Sequence, residues 1–396
     1  MTLREYKRNV RIFYITSVLN GLIAVFAPFI VIFQMQEIGM SIGEVLLIEG
    51  LFALTVMLCE IPSGIWADKF SRKGVLVFAA AMFTLGILIF ALSQNIWHVV
   101  VSQVIMGFGL SARSGADQAM IYDSLKGIKQ SHRYQKILSD FRSIEFGSAI
   151  LATIAGGYIA TNFNLRSTIF CSAAMFFCVS FAWTFLVDPP REKLHRRSSF
   201  LDYGKKGFAL ILQTPFLFWL IVFTAICAMG VKINFHTLNP YWEAYDVPLL
   251  WFGYALAAYN TLAMITSLLI PKLSKRVGGM KVLAFAWFIV SIGFLMQAFA
   301  HFGALGAVII PVIFQMSRSI MRVIPSDFLQ RQTNSDTRAT IISMNSFAST
   351  LSQTVFLWLF GLLADFSGLF MAFATLGLFI TVFGGLAFLK VSNSVG

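Results

Sequence analysis

Long apolar stretches recur along the whole chain, and they constrain its fold more than any other feature. A membrane-spanning helix needs about 20 apolar residues in a row, whereas a strand of a membrane barrel needs about ten of alternating polarity. Twelve continuous stretches of helical length occur, and 58% of the 396 residues are hydrophobic. They lie roughly at 12–34, 44–66, 75–93, 97–122, 139–160, 166–187, 210–236, 250–270, 281–300, 304–324, 340–362 and 369–389. The sequence therefore predicts an all-α membrane protein with twelve transmembrane helices in a lipid bilayer.

The basic residues fall almost entirely on alternate loops. Of the 30 Lys and Arg residues, 24 lie at the termini or in every second loop, while the opposite loops hold only Arg166. Cytoplasmic loops carry such an excess. The pattern therefore predicts a multi-pass protein of the cell inner (plasma) membrane with both termini in the cytoplasm. It also accounts for the net charge of +12, which leaves no basic surface for a nucleic acid.

A polar, basic segment after the sixth apolar stretch divides the chain. The predicted parts are an amino-terminal six-helix bundle (1–188), a cytoplasmic linker (189–209) and a carboxyl-terminal six-helix bundle (210–396). A weak internal repeat with an offset near 205 aligns Arg113 with Arg318. Repeats of this kind predict two pseudo-symmetric bundles with a substrate site near the bilayer midplane.

The most specific motif is a charged loop between the second and third apolar stretches. Residues 64–73 read Gly-Ile-Trp-Ala-Asp-Lys-Phe-Ser-Arg-Lys. This pattern, Gly-x-x-x-Asp-(Arg/Lys)-x-(Gly/Ser)-Arg-(Arg/Lys), resembles the loop between the second and third helices of the major facilitator superfamily. The resemblance implies two six-helix bundles that work by alternating access in a bacterial-type inner membrane, as in drug and metabolite exporters.

The same resemblance implies a cytoplasmic gate. In the family the charged loop meets the amino terminus of the eleventh helix, and a helix amino terminus attracts an acid such as Asp68. Asp123, at the end of the fourth helix, is expected at the same membrane level. The alternative is a solvated loop end, since exposed ion pairs contribute only about 0–1 kcal/mol. The predicted gating residues are Gly64, Asp68, Lys69, Arg72, Lys73 and Asp123.

Ionisable residues inside the predicted helices are candidates for chemistry, because each costs at least about 2.5–3.5 kcal/mol in hydrocarbon. The fourth and fifth helices carry two spaced couples, Arg113 with Asp117 and Arg142 with Glu145, expected in one inner layer. A carboxylate that loses its Arg partner during transport binds a proton more readily. We therefore predict Asp117 and Glu145 as proton-coupling residues. A neutralised structural network is the alternative.

The second half differs, because Arg318 and Arg322 share a face of the tenth helix. Two like charges there predict a contact with an anionic substrate group, or with a carboxylate such as Glu49, the third proton-coupling candidate. Long Arg side chains can instead snorkel to the cytoplasm. The predicted substrate-binding residues are Asn20, Arg113, Arg142, Arg318 and Arg322.

No enzyme signature occurs in the sequence. A phosphate loop of the form Gly-x-x-x-x-Gly-Lys-(Ser/Thr) is missing, which excludes an ATP-driven pump on this chain. The five His residues are scattered over different segments, and the four Cys residues lie within predicted helices. We therefore expect no enzymatic activity, no metal site, no disulfide framework and no cofactor.

These features predict a secondary active transporter of a small organic molecule, driven by a coupling proton. Proton-coupled export of a small amphipathic compound is the first interpretation. Proton-coupled uptake of an organic anion or zwitterion, such as a metallophore, is the second. A membrane receptor or scaffold without transport is the interpretation from another class, and the ionisable residues inside the helices argue against it.

Overall fold

A computed structural model of the chain describes residues 2–69, 71–113, 116–189, 211–331 and 335–394. For residues 61–69, 330–331 and 335–340 within these ranges, the structure describes the backbone only. The described residues contain helices and no strand, and twelve of these helices are long and apolar enough to cross a membrane. The predicted all-α membrane fold is confirmed.

The twelve helices are numbered in chain order. The first six are α1 (Leu3–Gln36), α2 (Ile42–Lys69), α3 (Arg72–Ala91), α4 (Ile96–Arg113 and Ala116–Gly127), α5 (Ser131–Asn162) and α6 (Leu165–Thr184). The last six are α7 (Pro215–His236), α8 (Leu249–Val277), α9 (Gly279–Phe299), α10 (Gly303–Arg331), α11 (Ser335–Ser367) and α12 (Leu369–Asn393). A short helix, Leu238–Glu243, follows α7.

Local sequence explains several helix ends. The Ser71 hydroxyl accepts a hydrogen bond from the Gly74 backbone N–H at 2.8 Å and caps the start of α3. Gly278 and Gly368 precede α9 and α12 with φ values of +91° and +88°. Because glycine has no Cβ, it adopts this backbone region without steric cost, which permits the tight turns into these helices.

The first compact unit contains Met1–Met40, Leu51–Lys193 and Pro248–Ala257. Within it, α1 packs against α5, and α3 packs against α4 and α6. Phe13 lies at the centre of its core, with ring centroids 6.2 Å from Phe141 and 6.5 Å from Trp183. These aromatic contacts join α1, α5 and α6 into one core.

The second compact unit contains Ser41–Gly50, Leu194–Val247 and Ala258–Gly396. Within it, α7 packs against α11, and α9 packs against α10 and α12. Phe294 is fully buried and lies 4.9 Å from Phe314 between ring centroids. Helices α2 and α8 thus each contribute residues to both units. The predicted linker, 189–209, lies outside the described residues except for its first residue.

Small residues allow close helix crossings inside each unit. In the first, a Cβ on Gly253 of α8 would lie 3.2 Å from the Gly157 Cα of α5. In the second, a Cβ on Gly361 of α11 would lie 3.0 Å from the Gly43 Cα of α2. The Asp365 carboxylate accepts a hydrogen bond from the Gly43 N–H at 2.9 Å. It therefore caps the amino terminus of α2, where a negative charge is favourable.

Candidate functional site

The structure describes the side chains of the predicted gate at the start of α3. The Arg72 guanidinium forms an ion pair with the Asp123 carboxylate of α4 and donates a hydrogen bond to the Ala119 backbone oxygen at 3.2 Å. The two paired side chains are only 20% and 24% exposed. Partial burial and charge-assisted hydrogen bonding make such a pair stronger than an exposed one. The pair therefore joins α3 to α4.

Asp188 also contacts this region, although it was not among the predicted site residues. Its carboxylate accepts hydrogen bonds from the Lys73 backbone N–H at 3.0 Å and from the Ser71 hydroxyl. An acid at the amino terminus of α3 complements the helix dipole. No local sequence pattern marks Asp188, because its partners are more than 100 residues away. The other predicted gating side chains, of Gly64, Asp68 and Lys69, lie outside the described part of the structure.

The predicted charges of α4 and α5 form two separate couples. In α4 the Arg113 Nε lies 3.5 Å from the Asp117 Oδ2, and the guanidinium lies 5.3 Å from the Trp183 ring centroid. In α5 the Arg142 Nη1 lies 3.0 Å from the Glu145 Oε2. Arg142 and Glu145 lie within one helix, while Arg113 ends the first described segment of α4 and Asp117 lies in the first turn of the second. Spacings of three and four residues favour such pairs.

Asn20 of α1 lies near the α5 couple. Its neighbour Gly21 packs so closely against the backbone oxygen of Glu145 that a Cβ would collide with it. The Asn20 Oδ1 is buried and has no hydrogen-bond partner among the described residues. A buried oxygen without a partner in the protein can accept a hydrogen bond from water or from a substrate.

The most enclosed carboxylate couple lies in the second unit. The Glu49 Oε2 of α2 lies 3.7 Å from the His236 Nδ1 of α7, and the two side chains are 5% and 4% exposed. Neither ring nitrogen of His236 has a hydrogen-bond partner in the described chain. A carboxylate and an imidazole can each bind a proton, so the couple is a candidate site for proton binding.

Three further side chains are linked to this couple. Lys232 lies one turn before His236 on α7 and interacts electrostatically with both Glu49 and Arg318. Tyr259 of α8 has a buried hydroxyl that lies beside the Arg318 guanidinium. We name Glu49, Lys232, His236, Tyr259 and Arg318 the α7 charge cluster.

Arg318 is the exposed member of the α7 charge cluster. It lies on α10, six residues before the end of the apolar stretch predicted at 304–324, which is about 9 Å along the helix. Because facing hydrocarbon costs about 2.5–3.5 kcal/mol or more, an exposed guanidinium here faces water, a polar group or the membrane surface. Arg322, one turn further along α10, is exposed as well.

Lys232 was noted as an ionisable residue inside the seventh predicted helix, but the predicted site residues included only Glu49 and Arg318 of this cluster and not Lys232, His236 or Tyr259. Two signals could have identified the α7 pair. Lys232 is an ionisable residue in an otherwise apolar stretch, and His236 follows four residues later on the same helix face. Tyr259 gives no signal, because tyrosines are common in membrane helices. Among the described residues, no group of three or more His, Cys, Asp or Glu side chains could hold a metal ion.

Comparison with known proteins assigns the family. The profile of the Major Facilitator Superfamily matches residues 12–357. The chain belongs to the Major Facilitator Superfamily. With twelve described helices long and apolar enough to cross a membrane, it is a multi-pass membrane protein of that superfamily.

The similar sequences are distant relatives. An uncharacterized transporter of Buchnera aphidicola is 25% identical over 206 residues, which cover 50% of this chain and 51% of that protein. Multidrug resistance protein MdtG of Salmonella typhimurium is 25% identical over 299 residues, covering 71% of this chain and 70% of that protein. The chain spans about half the length of the first of these curated relatives.

Solved structures show the same fold. The crystal structure of the nucleoside transporter NupG superposes with a TM-score of 0.82 at 14% identity, covering 98% of this chain and 99% of that one. Similarity at this identity concerns the arrangement of helices alone.

Proposed function

We propose that the chain is a proton-coupled secondary transporter of a small organic molecule, and that Glu49 binds and releases the coupling proton. The observation that carries this proposal is the enclosed contact between Glu49 and His236. A coupling group must bind a proton in one state of the transport cycle and release it in another. An enclosed carboxylate meets this requirement when a rearrangement changes its neighbours.

Glu49 is favoured over Asp117 and Glu145 for a geometric reason. The latter two are paired with arginines of their own helices, so these couples survive when helices move relative to one another. Glu49 and His236 belong to different helices, so helix movement changes the distance between them. Glu49 is also the most buried of the three, at 5% exposure against 22% and 32%. Asp117 and Glu145 remain the other candidates.

The direction of transport has two candidates. Export is supported by the similarity to MdtG, whose name describes multidrug resistance. Uptake of an organic anion or zwitterion is supported by the cations Lys232 and Arg318 beside the proton-binding carboxylate. The geometry favours uptake, because two cations attract an anion together with a proton on Glu49.

The orientation and the gate are part of the same proposal. Both termini lie in the cytoplasm, which is supported by the distribution of Lys and Arg over the loops. The Arg72 and Asp123 pair lies at the cytoplasmic ends of α3 and α4 in this orientation. We assign it, with the charged loop before α3, to the cytoplasmic gate.

The proposal is tested by proton flux. Proteoliposomes containing a trapped pH-sensitive dye are given membrane-impermeant organic acids and zwitterions from outside. We expect the wild-type protein to acidify the lumen with at least one compound, and Glu49→Gln to abolish this signal. Glu44→Gln is the control, because Glu44 lies on the same helix and is exposed. Acidification by Glu49→Gln at the wild-type rate would reject Glu49 as the coupling group.

A further inference from the structure

We propose that the α7 charge cluster binds the carboxylate of the substrate, and that the substrate is a small organic acid carrying a hydrogen-bond donor. The inference rests on the proposed function and specifies it. Each site binds one substrate carboxylate and one coupling proton, and the two bind together.

Charge balance within the α7 charge cluster supports an anionic ligand. Lys232 and Arg318 are the basic members of the cluster, and Glu49 is its single acid. When both basic groups are protonated and His236 is neutral, the cluster carries one excess positive charge, which becomes two when Glu49 binds a proton. Positive charge that is partly shielded from water, as at Lys232, attracts an anion more strongly than the same charge in water.

The charged groups around Glu49 come from several helices. Helix α7 contributes Lys232 and His236, and α10 contributes Arg318 through its interaction with Lys232. Helix α11 also packs against α2 here, and its acid, Asp365, binds the amino-terminal end of α2 at Gly43. That contact lies six residues before Glu49, which is about 9 Å along the helix.

Buried polar atoms add hydrogen-bonding requirements. The Tyr259 hydroxyl is buried beside the Arg318 guanidinium, which can only donate to its oxygen, so the Tyr259 O–H can donate to a carboxylate. Gln315, one turn from Arg318 on α10, is 1% exposed, and its Oε1 has no partner among the described residues. An amide oxygen accepts hydrogen bonds and does not donate them. It therefore fits an ammonium or hydroxyl group of the ligand. Amino acids, hydroxy acids and related zwitterions meet both requirements.

The binding step conserves charge. A proton from solution binds the Glu49 carboxylate, which becomes a neutral acid and releases Lys232 from its negative partner. The substrate carboxylate then takes the place of that negative charge beside Lys232 and Arg318. No covalent bond forms apart from the O–H bond on Glu49. One proton and one monoanion move together, so their transport is electroneutral and the substrate binds more tightly as the pH falls.

The test uses acids and their neutral derivatives on the full chain in detergent. The probes are 5-aminolevulinic acid, lactic acid and benzoic acid, the methyl ester of each, and tetraphenylphosphonium as a lipophilic cation. Binding is measured by thermal shift and calorimetry across the range from about pH 5.5 to about pH 7.5, where affinity should change up to about tenfold per pH unit. We expect an acid with a hydrogen-bond donor to bind, its ester not to bind, and binding to take up one proton.

Three variants test which residues bind the acid and which binds the proton. Arg318→Gln should weaken acid binding about 10- to 100-fold, the usual effect of losing a charged hydrogen bond. Arg318 is exposed, so this variant is expected to fold. Lys272→Gln, at an exposed position of α8, is the matched control and should bind like the wild type. Glu49→Gln should bind acids equally well at both ends of the pH range.

The outcomes separate the substrate class from the coupling residue. Esters binding as tightly as acids, tetraphenylphosphonium binding instead, or no acid binding would each overturn the substrate class. Acid binding that is unchanged in Arg318→Gln would overturn the site. Acid binding that keeps its pH dependence in Glu49→Gln would leave the substrate class intact and reject Glu49 as the proton-binding group.

Discussion

Polar contacts within one helix and polar contacts between helices have different consequences in this protein. Arg113 with Asp117, and Arg142 with Glu145, are paired by helical spacing alone. Arg72 with Asp123 joins α3 to α4, and Glu49 with His236 joins α2 to α7. Contacts between helices depend on how the helices are arranged. They therefore form or break when the helices move relative to one another.

The Arg72 and Asp123 pair should contribute measurably to stability. In a double-mutant cycle with Arg72→Ala and Asp123→Ala, we expect a coupling energy of about 1–3 kcal/mol, because the pair is largely buried. The thermal unfolding midpoint in detergent measures it. The control cycle, Arg133→Ala with Gln130→Ala, removes an exposed contact and should give no more than about 0.5 kcal/mol. Equal coupling in both cycles would show that α3 and α4 do not depend on the ion pair.

Residue contacts were predictable from sequence only where they are local. Spacings of three and four residues indicate the couples on α4 and α5 directly. Glu49 and His236 are 187 residues apart, so their contact depends on the tertiary arrangement of α2 and α7. The contact of Asp188 with the start of α3 has the same origin. Sequence could therefore indicate that Glu49 needs a partner, but not which side chain provides it.

At the scale of elements, the apolar stretches predicted all twelve helices, because each must satisfy its backbone hydrogen bonds within hydrocarbon. Most helices extend further than the stretches. Helix α2, predicted at 44–66, spans Ile42–Lys69, since its polar ends continue the helix into water. The places where the regular α-helix is interrupted were harder to predict. A 3₁₀ segment, Ile23–Phe29, contains Pro28, which cannot donate a helical hydrogen bond, and a π segment occupies Ile380–Gly384 without such a marker.

The crossing of α2 and α11 should tolerate no side chain at Gly43. A Cβ there would collide with the Asp365 carboxylate that caps α2. We expect Gly43→Ala to lower stability by about 1–3 kcal/mol, the usual cost of overpacking. Gly147→Ala is the control, because a Cβ on Gly147 in α5 meets nothing within 4 Å. It should be neutral or stabilise by about 0.5–1 kcal/mol. Equal thermal midpoints for the two variants would contradict the close crossing.

At the scale of the whole molecule, the family and the fold followed from a ten-residue motif and from hydropathy. The proposed substrate site could not follow in this way, because the α7 charge cluster takes its residues from α2, α7, α8 and α10. Two of these helices, α2 and α8, also contribute to both compact units.

The most direct measurement compares accumulation with exchange for the organic acid that the binding experiment identifies. In proteoliposomes with an imposed pH gradient, Glu49→Gln should lose gradient-driven accumulation yet retain exchange of labelled for unlabelled acid, because exchange requires no net proton release. Asp117→Asn and Glu145→Gln, measured alongside, should retain both activities. Accumulation by Glu49→Gln at the wild-type level, or its loss in Asp117→Asn or Glu145→Gln alone, would contradict proton coupling through Glu49.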